Sequence, residues 1–118
     1  MPEIHALKVE TNTSGTSAVV RVTGELEMTT VAGLRDAIED VYACERLILD
    51  LSEVEFMDSS GVDAIVRIAR RRNRQYLTAV EVVNMRSHIS RLFEITGLYT
   101  VAGVSTPPPR PCYSGSSC

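Results

Sequence analysis

The length and composition of the sequence are typical of one globular domain. It has 118 residues, of which 44% are hydrophobic and 23% are charged, and a chain of this size can bury one ordinary core. The net charge of −3 gives no reason to expect nucleic acid or an anionic membrane as a partner. No apolar run approaches the ~20 residues that span a bilayer, and residues 1–10 lack the pattern of a secretory signal. We therefore expect a cytoplasmic protein.

In the first half of the sequence, the apolar pattern alternates between strand and helix periods. Thr29 or Thr30 suits a helix N-cap, and the apolar run 47–51 is typical of a buried strand. A polar bend is predicted at residues 52–53. The predicted elements are strands at residues 4–11, 18–22 and 47–51, and a helix from Thr29 or Thr30 to about Cys44.

In the second half, the same reasoning predicts two helices and two strands. Asn73 is predicted to end the first of these helices in a left-handed conformation, and Gly97 to cap the second. The elements are a helix that begins near Ser60, a strand at residues 79–83, a helix that begins at Ser87 or Ser90, and a short last strand within residues 99–104.

The order of these elements predicts the fold class. Strands separated by helices imply crossover connections and parallel pairing, whereas the first two strands can pair as a hairpin. We therefore expect an α/β fold over residues 1–104, a single domain with helices packed on a mixed, mostly parallel sheet. Residues 105–118 are rich in Pro, Ser and Gly and cannot continue a helix or a central strand, so we expect a flexible C-terminal tail.

Three motifs carry most of the functional information. They are VTGELE at residues 22–27, FMDSSGV at residues 56–62 and SRLFEITGL at residues 90–98. In this order and spacing, the sequence closely resembles the STAS-domain anti-anti-sigma factors over about residues 5–104. The Asp-Ser-Ser-Gly stretch alone would be a weak signal, but three motifs that agree with the predicted elements make the resemblance specific.

The resemblance implies an anti-sigma factor antagonist that performs no chemistry of its own. In that family the serine directly after the aspartate, here Ser59, is phosphorylated by the anti-sigma factor, which is itself a serine kinase. The unphosphorylated protein binds this kinase and frees the sigma factor. The phosphorylated protein is released until a dedicated phosphatase restores it. We expect no cofactor, no metal, no nucleic acid and no membrane partner.

The position of Ser59 agrees with this role on physical grounds. A helix N-terminus has free N–H groups and a partial positive charge, so the fold can tolerate a phosphate there. Phosphorylation adds roughly −1.5 to −2 charges beside Asp58 and would repel an acidic or apolar partner. The simpler alternative is that Asp58, Ser59 and Ser60 are only an N-cap cluster. Within it we expect Ser60 to be the cap, and Gly61 to allow a close backbone approach.

Two further residues complete the predicted partner-binding set. Glu27 takes the place of an aspartate common in the family, and the resemblance places Glu27 and Thr30 near the phosphorylation loop. Their alternatives are a solvated acidic residue and a helix cap. The set of predicted partner-binding residues is Glu27, Thr30, Asp58, Ser60 and Gly61.

A different class of function would be a small hydrolase that uses Ser59 together with Asp50. We expect Asp50 to end a buried strand close to Ser59, where a carboxylate beside a serine could suggest such chemistry. However, His5 and His88 are far away along the chain, and no Gly-x-Ser-x-Gly motif is present. We therefore predict no enzyme, and we interpret Asp50 as organising the loop through hydrogen bonds.

Arginines and cysteines are the remaining candidates. The only strong charge cluster consists of Arg67, Arg70, Arg71, Arg72 and Arg74. We favour a solvated helix face for it, with docking of an acidic partner as the alternative. The cysteines Cys44, Cys112 and Cys118 have neither disulfide-framework nor zinc-site spacing. Inert thiols are favoured in a reducing cytoplasm, with a redox switch as the alternative.

The sequence departs from the family at its end. Family members usually finish with a further helix, and the proline-rich residues 106–111 cannot form it. A second interpretation within the family is a scaffold subunit of a signalling complex, or a transporter-accessory subunit, without a phosphorylation switch. The intact Asp-Ser-Ser-Gly stretch favours the antagonist.

Overall fold

The computed structural model describes residues 6–106, which form one mixed sheet with helices packed on it. The strands are β1 (Leu7–Ser14), β2 (Ser17–Leu26), β3 (Arg46–Met57), β4 (Val80–Val83) and β5 (Val104–Ser105). The helices are α1 (Val31–Glu39), α2 (Ser59–Arg74) and α3 (Ser87–Thr96), and a short 3₁₀ turn covers Leu98–Thr100.

The sheet has the topology that the order of elements predicts. Its strands lie in the order β1-β2-β3-β4-β5. Strand β1 is antiparallel to β2, and every other neighbouring pair is parallel. The predicted mixed, mostly parallel α/β sheet is therefore confirmed. Because α1 follows β2 and α2 follows β3, and these strands are parallel neighbours, both helices begin at the same edge of the sheet.

The core lies between one face of the sheet and the helices. Alternate residues of the central strands are fully buried, whereas Val19 and Ile48 on the opposite face are only half-buried. Apolar residues spaced three and four apart on each helix complete the core. The principal members are Val20, Val22, Leu47, Leu49 and Leu51 from the sheet and Leu34, Ile38, Ile65, Ala69, Ile89 and Phe93 from the helices.

Several predicted boundaries in the first half are wrong. Strands β1 and β2 end at Ser14 and Leu26, beyond the predicted ends at residues 11 and 22. Helix α1 ends at Glu39 and not near Cys44, because the following carbonyl groups, among them those of Tyr42 and Cys44, accept hydrogen bonds from a distant arginine. Strand β3 does not end at the polar residues 52–53. It continues to Met57 because its pairing with β2 resumes there after a register shift.

Two boundaries in the second half also differ. Helix α2 continues past Asn73, whose carbonyl accepts a hydrogen bond from the N–H of Tyr76, and the left-handed residue is Tyr76 (φ 59°). Gly97 does cap α3 with a φ of 72°. The last strand, predicted within residues 99–104, comprises only Val104–Ser105, because the chain first forms the 3₁₀ turn Leu98–Thr100. Ser105 therefore belongs to the sheet and not to the predicted tail. The rest of the predicted tail, residues 107–118, lies outside the described residues. Among residues 6–106, no helix combines the length and apolar character needed to cross a membrane.

Candidate functional site

The junction between β3 and α2 holds the predicted phosphorylation serine. Met57 ends β3, Asp58 is the N-cap, and Ser59 is the first residue of α2. The Asp58 carboxylate accepts hydrogen bonds from the backbone N–H groups of Ser60 (2.8 Å) and Gly61 (3.4 Å). Asp58 therefore caps the helix, and the expectation that Ser60 does so is wrong. An aspartate in extended conformation reaches these two amides, whereas Ser60 already lies inside the first turn.

The side chain of Ser59 is exposed. In the part of the chain that the structure describes, its hydroxyl group has no hydrogen-bond partner. The cap of the helix is thus supplied by one neighbour, Asp58, and leaves the hydroxyl of Ser59 available to another molecule.

Gly61 allows this junction to pack tightly against the end of β2. A Cβ atom at Gly61 would lie 2.8 Å from the Leu26 carbonyl oxygen and 2.6 Å from Cγ of Met57. The predicted close backbone approach is therefore confirmed. The Asp58 N–H also donates to the Leu26 carbonyl oxygen at 3.3 Å. The residues on either side of the Ser59–Ser60 pair therefore lie against the end of β2, just before the β2–α1 loop.

The β2–α1 loop contains Glu27 and Thr30. The Thr30 hydroxyl donates to the Glu25 carbonyl oxygen (2.7 Å) and accepts a hydrogen bond from the Glu27 N–H (3.0 Å). Thr30 occupies the N-cap position of α1, but its side chain forms no hydrogen bond to the helix. Its hydroxyl therefore shapes the loop. The Glu27 carboxylate accepts a hydrogen bond from the Thr29 hydroxyl.

A groove between α1 and α2 brings further side chains to Ser59. Its volume is about 560 Å³, and Met28 on its wall is 75% exposed. The groove includes Ser59 and Ser60 together with Met28, Arg35, Asp63 and Arg67. The sequence reasoning missed Met28 and Arg35, because only the tertiary packing of α1 beside α2 brings them to the serine.

Asp50 does not lie near Ser59, contrary to the sequence expectation. It lies in the middle of β3, opposite Arg21 of β2 and Val83 of β4. Asp50 and Met57 are seven positions apart along the strand, which is about 23 Å at a rise of roughly 3.3 Å per residue. The strand is longer than the apolar run that was used to place its end. This separation removes the Ser59–Asp50 pair on which the hydrolase interpretation depended.

The surroundings of Asp50 explain its role. Asp50 is 8% exposed, and its carboxylate accepts a hydrogen bond from the Ser52 N–H at 2.9 Å. Burial raises the pKa of this carboxyl group, but the hydrogen bonds from Ser52 and Asn84 and the charge of Arg21 outweigh it, so the pKa lies below its usual value. Asp50 thus organises the local backbone through hydrogen bonds, although at mid-strand and not at the junction.

The arginine cluster of α2 divides into two groups. Arg67 and Arg70 are exposed, whereas Arg72 is fully buried, so the expected solvated face does not include Arg72. Its guanidinium group donates to the backbone carbonyl oxygens of Thr78 (3.0 Å) and Cys44 (2.9 Å). Arg71 forms an ion pair with Glu39 of α1 at 2.6 Å, and this contact helps to join the two helices.

The described part of the chain contains one cysteine and no candidate metal centre. Cys44 is half-buried and free, and its thiol donates to the Arg46 carbonyl oxygen at 3.1 Å. Cys112 and Cys118 lie outside the described residues. Within residues 6–106, no group of three or more His, Cys, Asp or Glu side chains could hold a metal ion.

The fold and the junction together define a class of protein: a mixed α/β domain with an exposed serine on the first turn of the helix after a long parallel strand. A family model described as the STAS domain matches residues 8–106. The chain therefore belongs to the STAS-domain family.

Relatives and solved structures agree with this assignment. An anti-sigma-B factor antagonist of Staphylococcus aureus is 33% identical over 100 residues, which cover 78% of this chain and 86% of that protein. The crystal structure of an anti-sigma factor antagonist from Mycobacterium paratuberculosis is similar with a TM-score of 0.72 and 25% identity, covering 89% of this chain and 90% of that one. The anti-sigma factor antagonist SpoIIAA in its unphosphorylated form shares the fold, with a TM-score of 0.64, 21% identity and coverage of 89% and 90%.

Proposed function

We propose that this chain is an anti-sigma factor antagonist that is switched off by phosphorylation of Ser59. The observation that carries the proposal is the exposed Ser59 hydroxyl at the start of α2, beside a helix cap supplied by Asp58. The names of the relatives support the same function. In this function the chain binds an anti-sigma factor in the cytoplasm, and a sigma factor is released.

The partner is an anti-sigma factor with serine kinase activity. It transfers the γ-phosphoryl group of ATP to Oγ of Ser59, the hydroxyl proton passes to a base of the kinase, and ADP leaves. A phosphatase then hydrolyses the phosphoserine and regenerates the hydroxyl group. The exposure of Ser59 supports access by both enzymes, because neither needs the helix to unfold.

The partner-binding surface surrounds Ser59. Asp58 and Gly61 fix the backbone of the junction, and Thr30 shapes the adjacent loop through its bonds to residues 25 and 27. The exposed Met28 side chain offers an apolar contact in the same groove. Glu27 and Ser60 complete the surface that the partner covers.

The switch acts by charge and needs little movement of the backbone. A phosphate adds roughly −1.5 to −2 charges to a position already flanked by Asp58 and Asp63. Desolvating this added charge at an apolar contact is costly, so the partner is lost. The Asp58 cap and the close packing at Gly61 hold the junction in place in both states.

The test uses the anti-sigma kinase of the host organism with MgATP and intact-mass detection. Wild-type protein should gain one phosphoryl group and Ser59→Ala should gain none, whereas Ser87→Ala, which changes an exposed serine at the first position of α3, should still be phosphorylated. Binding of the kinase should survive in Ser59→Ala and be lost in Ser59→Glu. Absence of phosphate on the wild type, both in this assay and on protein isolated from the host, would favour a scaffold or transporter-accessory subunit without a switch.

A further inference from the structure

The groove beside Ser59 contains two arginines from different helices. Arg35 comes from α1 and Arg67 from α2, and both line the groove together with Ser59. Arg67 forms an ion pair with Asp63 at 2.7 Å, with the two side chains 72% and 59% exposed. Among residues 6–106, Arg35 forms no ion pair. One guanidinium group is thus unpaired, and the other is held only by a weak surface pair.

Both side chains can reach a group attached to Ser59. The Cα of Arg67 lies eight residues beyond that of Ser59, about 12 Å along the helix axis. Helical side chains lean towards the N-terminus of their helix, and the Arg67 side chain already reaches back one turn to Asp63, which is four residues from Ser59. Arg35 is the fifth residue of α1, which begins at the same edge of the sheet, and it approaches from the opposite wall.

We propose that Arg35 and Arg67 form an anion site that receives the phosphoryl group of phosphorylated Ser59. In this state Arg67 leaves Asp63 and donates to the phosphate, and Arg35 donates from the other wall. A guanidinium group suits this because its planar set of N–H donors matches the oxygens of a phosphate. The inference rests on the proposed function, since it concerns the state that phosphorylation creates.

Three carboxylate groups near the site would repel the phosphate, and two of them already accept hydrogen bonds from neighbouring groups. The Asp58 carboxylate is occupied by two backbone N–H groups, and the Glu27 carboxylate accepts from the Thr29 hydroxyl. Asp63 loses its partner when Arg67 moves. Transfer of Arg67 from Asp63 to the phosphate is favourable for two reasons. The phosphate carries a charge of nearly −2 and also binds Arg35, and the exposed Arg67–Asp63 ion pair that breaks contributes little, typically about 0–1 kcal/mol.

The consequence concerns the shape of the switched-off state. The phosphate lies across the α1–α2 groove and not free in solvent, so it covers the wall that carries Met28. Phosphorylation then removes the apolar contact as well as adding charge.

The test places phosphoserine at position 59 during translation and follows the phosphorus-31 chemical shift as a function of pH. The arginines stabilise the dianion, so Arg35→Gln and Arg67→Gln should each raise the second pKa of the phosphate, by about half a unit to one unit in this exposed site. Arg91→Gln, an exposed arginine on α3, is the matched control and should leave the pKa unchanged. Because all three arginines are exposed, the variants should fold normally, which a thermal unfolding curve verifies.

Equal pKa values in wild type, Arg35→Gln and Arg67→Gln would overturn the anion site. The same shift in Arg91→Gln would overturn it too, because it would reduce the effect to the net charge of the protein. The outcome is independent of the kinase, since the phosphate is introduced without it. A shift seen here together with no phosphorylation by the host kinase would refute the proposed function and leave the anion site standing.

Discussion

Arg72 offers the strongest test of how the fold is held together. Its guanidinium group is fully buried and donates to the carbonyl oxygens of Thr78 (3.0 Å), Tyr42, Cys44 (2.9 Å) and Glu45 (3.3 Å). Within residues 6–106 no carboxylate pairs with it. One side chain thereby fastens the end of α2 to the α1–β3 loop and to the start of β4.

Replacing Arg72 with Met keeps the apolar stem and removes every donor. The Glu45 carbonyl retains the hydrogen bond from the Thr78 hydroxyl (2.7 Å), so three carbonyls lose their donor, each at about 1–3 kcal/mol if it stays buried. Relief of the desolvation of a buried cation offsets part of this loss. We expect a net decrease of about 3 kcal/mol in the free energy of unfolding, a large fraction of the ~5–15 kcal/mol that a domain usually has.

Urea unfolding measures this decrease. Arg70→Met, an exposed position on the same helix, is the matched control and should change stability by less than about 0.5 kcal/mol. Arg72→Lys should recover little, because an ammonium group has no fork of donors to serve several carbonyls. If Arg72→Met lowers the free energy of unfolding by less than about 1 kcal/mol, or by no more than Arg70→Met does, Arg72 does not hold α2 to the α1–β3 loop as described.

Three further changes test the junction and the sheet. Gly61→Ala should lower the free energy of unfolding in thermal melts by about 1–3 kcal/mol, because the new Cβ would overlap the Leu26 carbonyl oxygen. Gly33→Ala is the control: its new Cβ would meet only Leu7 Cδ2 at 3.4 Å, so the same melts should show a neutral or stabilising effect. Asp58→Ala removes the cap of α2 and should cost about 1 kcal/mol; a melt like that of the wild type would show that the cap contributes nothing. The pKa of Asp50 is lowered in the folded protein, so its contribution is present above the unfolded-state pKa of about 4 and is lost as the pH falls through the folded-state pKa. Asp50→Asn should therefore flatten the acid side of the stability profile in urea titrations from pH 2 to 7, and an unchanged acid limb would contradict this.

Much of the fold could be predicted because local pattern and tertiary structure agree there. The spacing of apolar residues placed α2 and α3, and Gly97 was predicted to end α3 because a glycine has no Cβ to clash in the left-handed region. The end of β3 was misplaced because polar residues 52–53 look like a bend. Strand β3 continues because it pairs with β2 again after a register shift. This pairing is a tertiary contact, so the local sequence of β3 does not predict it.

The candidate site, like the fold, could be predicted only in part. The phosphorylation loop was found because Asp58, Ser59 and Gly61 are adjacent in sequence and each has a recognisable local role. Arg35 was missed because its relation to Ser59 exists only once two helices lie side by side. Arg72 was misassigned because other arginines of the same run, such as Arg70 and Arg74, are exposed. Two of the carbonyl groups that accept its hydrogen bonds come from a segment about 30 residues earlier.

Asp58 and Ser59 have separate roles at the start of α2, and this separation bears on how the chain can be regulated. Asp58 supplies the cap, and the side chain of Ser59 takes no part in the packing of the core. The fold therefore does not depend on a free hydroxyl group at Ser59. We therefore expect the phosphorylation proposed for Ser59 to be compatible with the folded chain, so that the phosphorylated fraction is set by the rates of the kinase and the phosphatase. The regulatory state of such a protein can then change as often as those two rates allow, without synthesis or degradation of the chain.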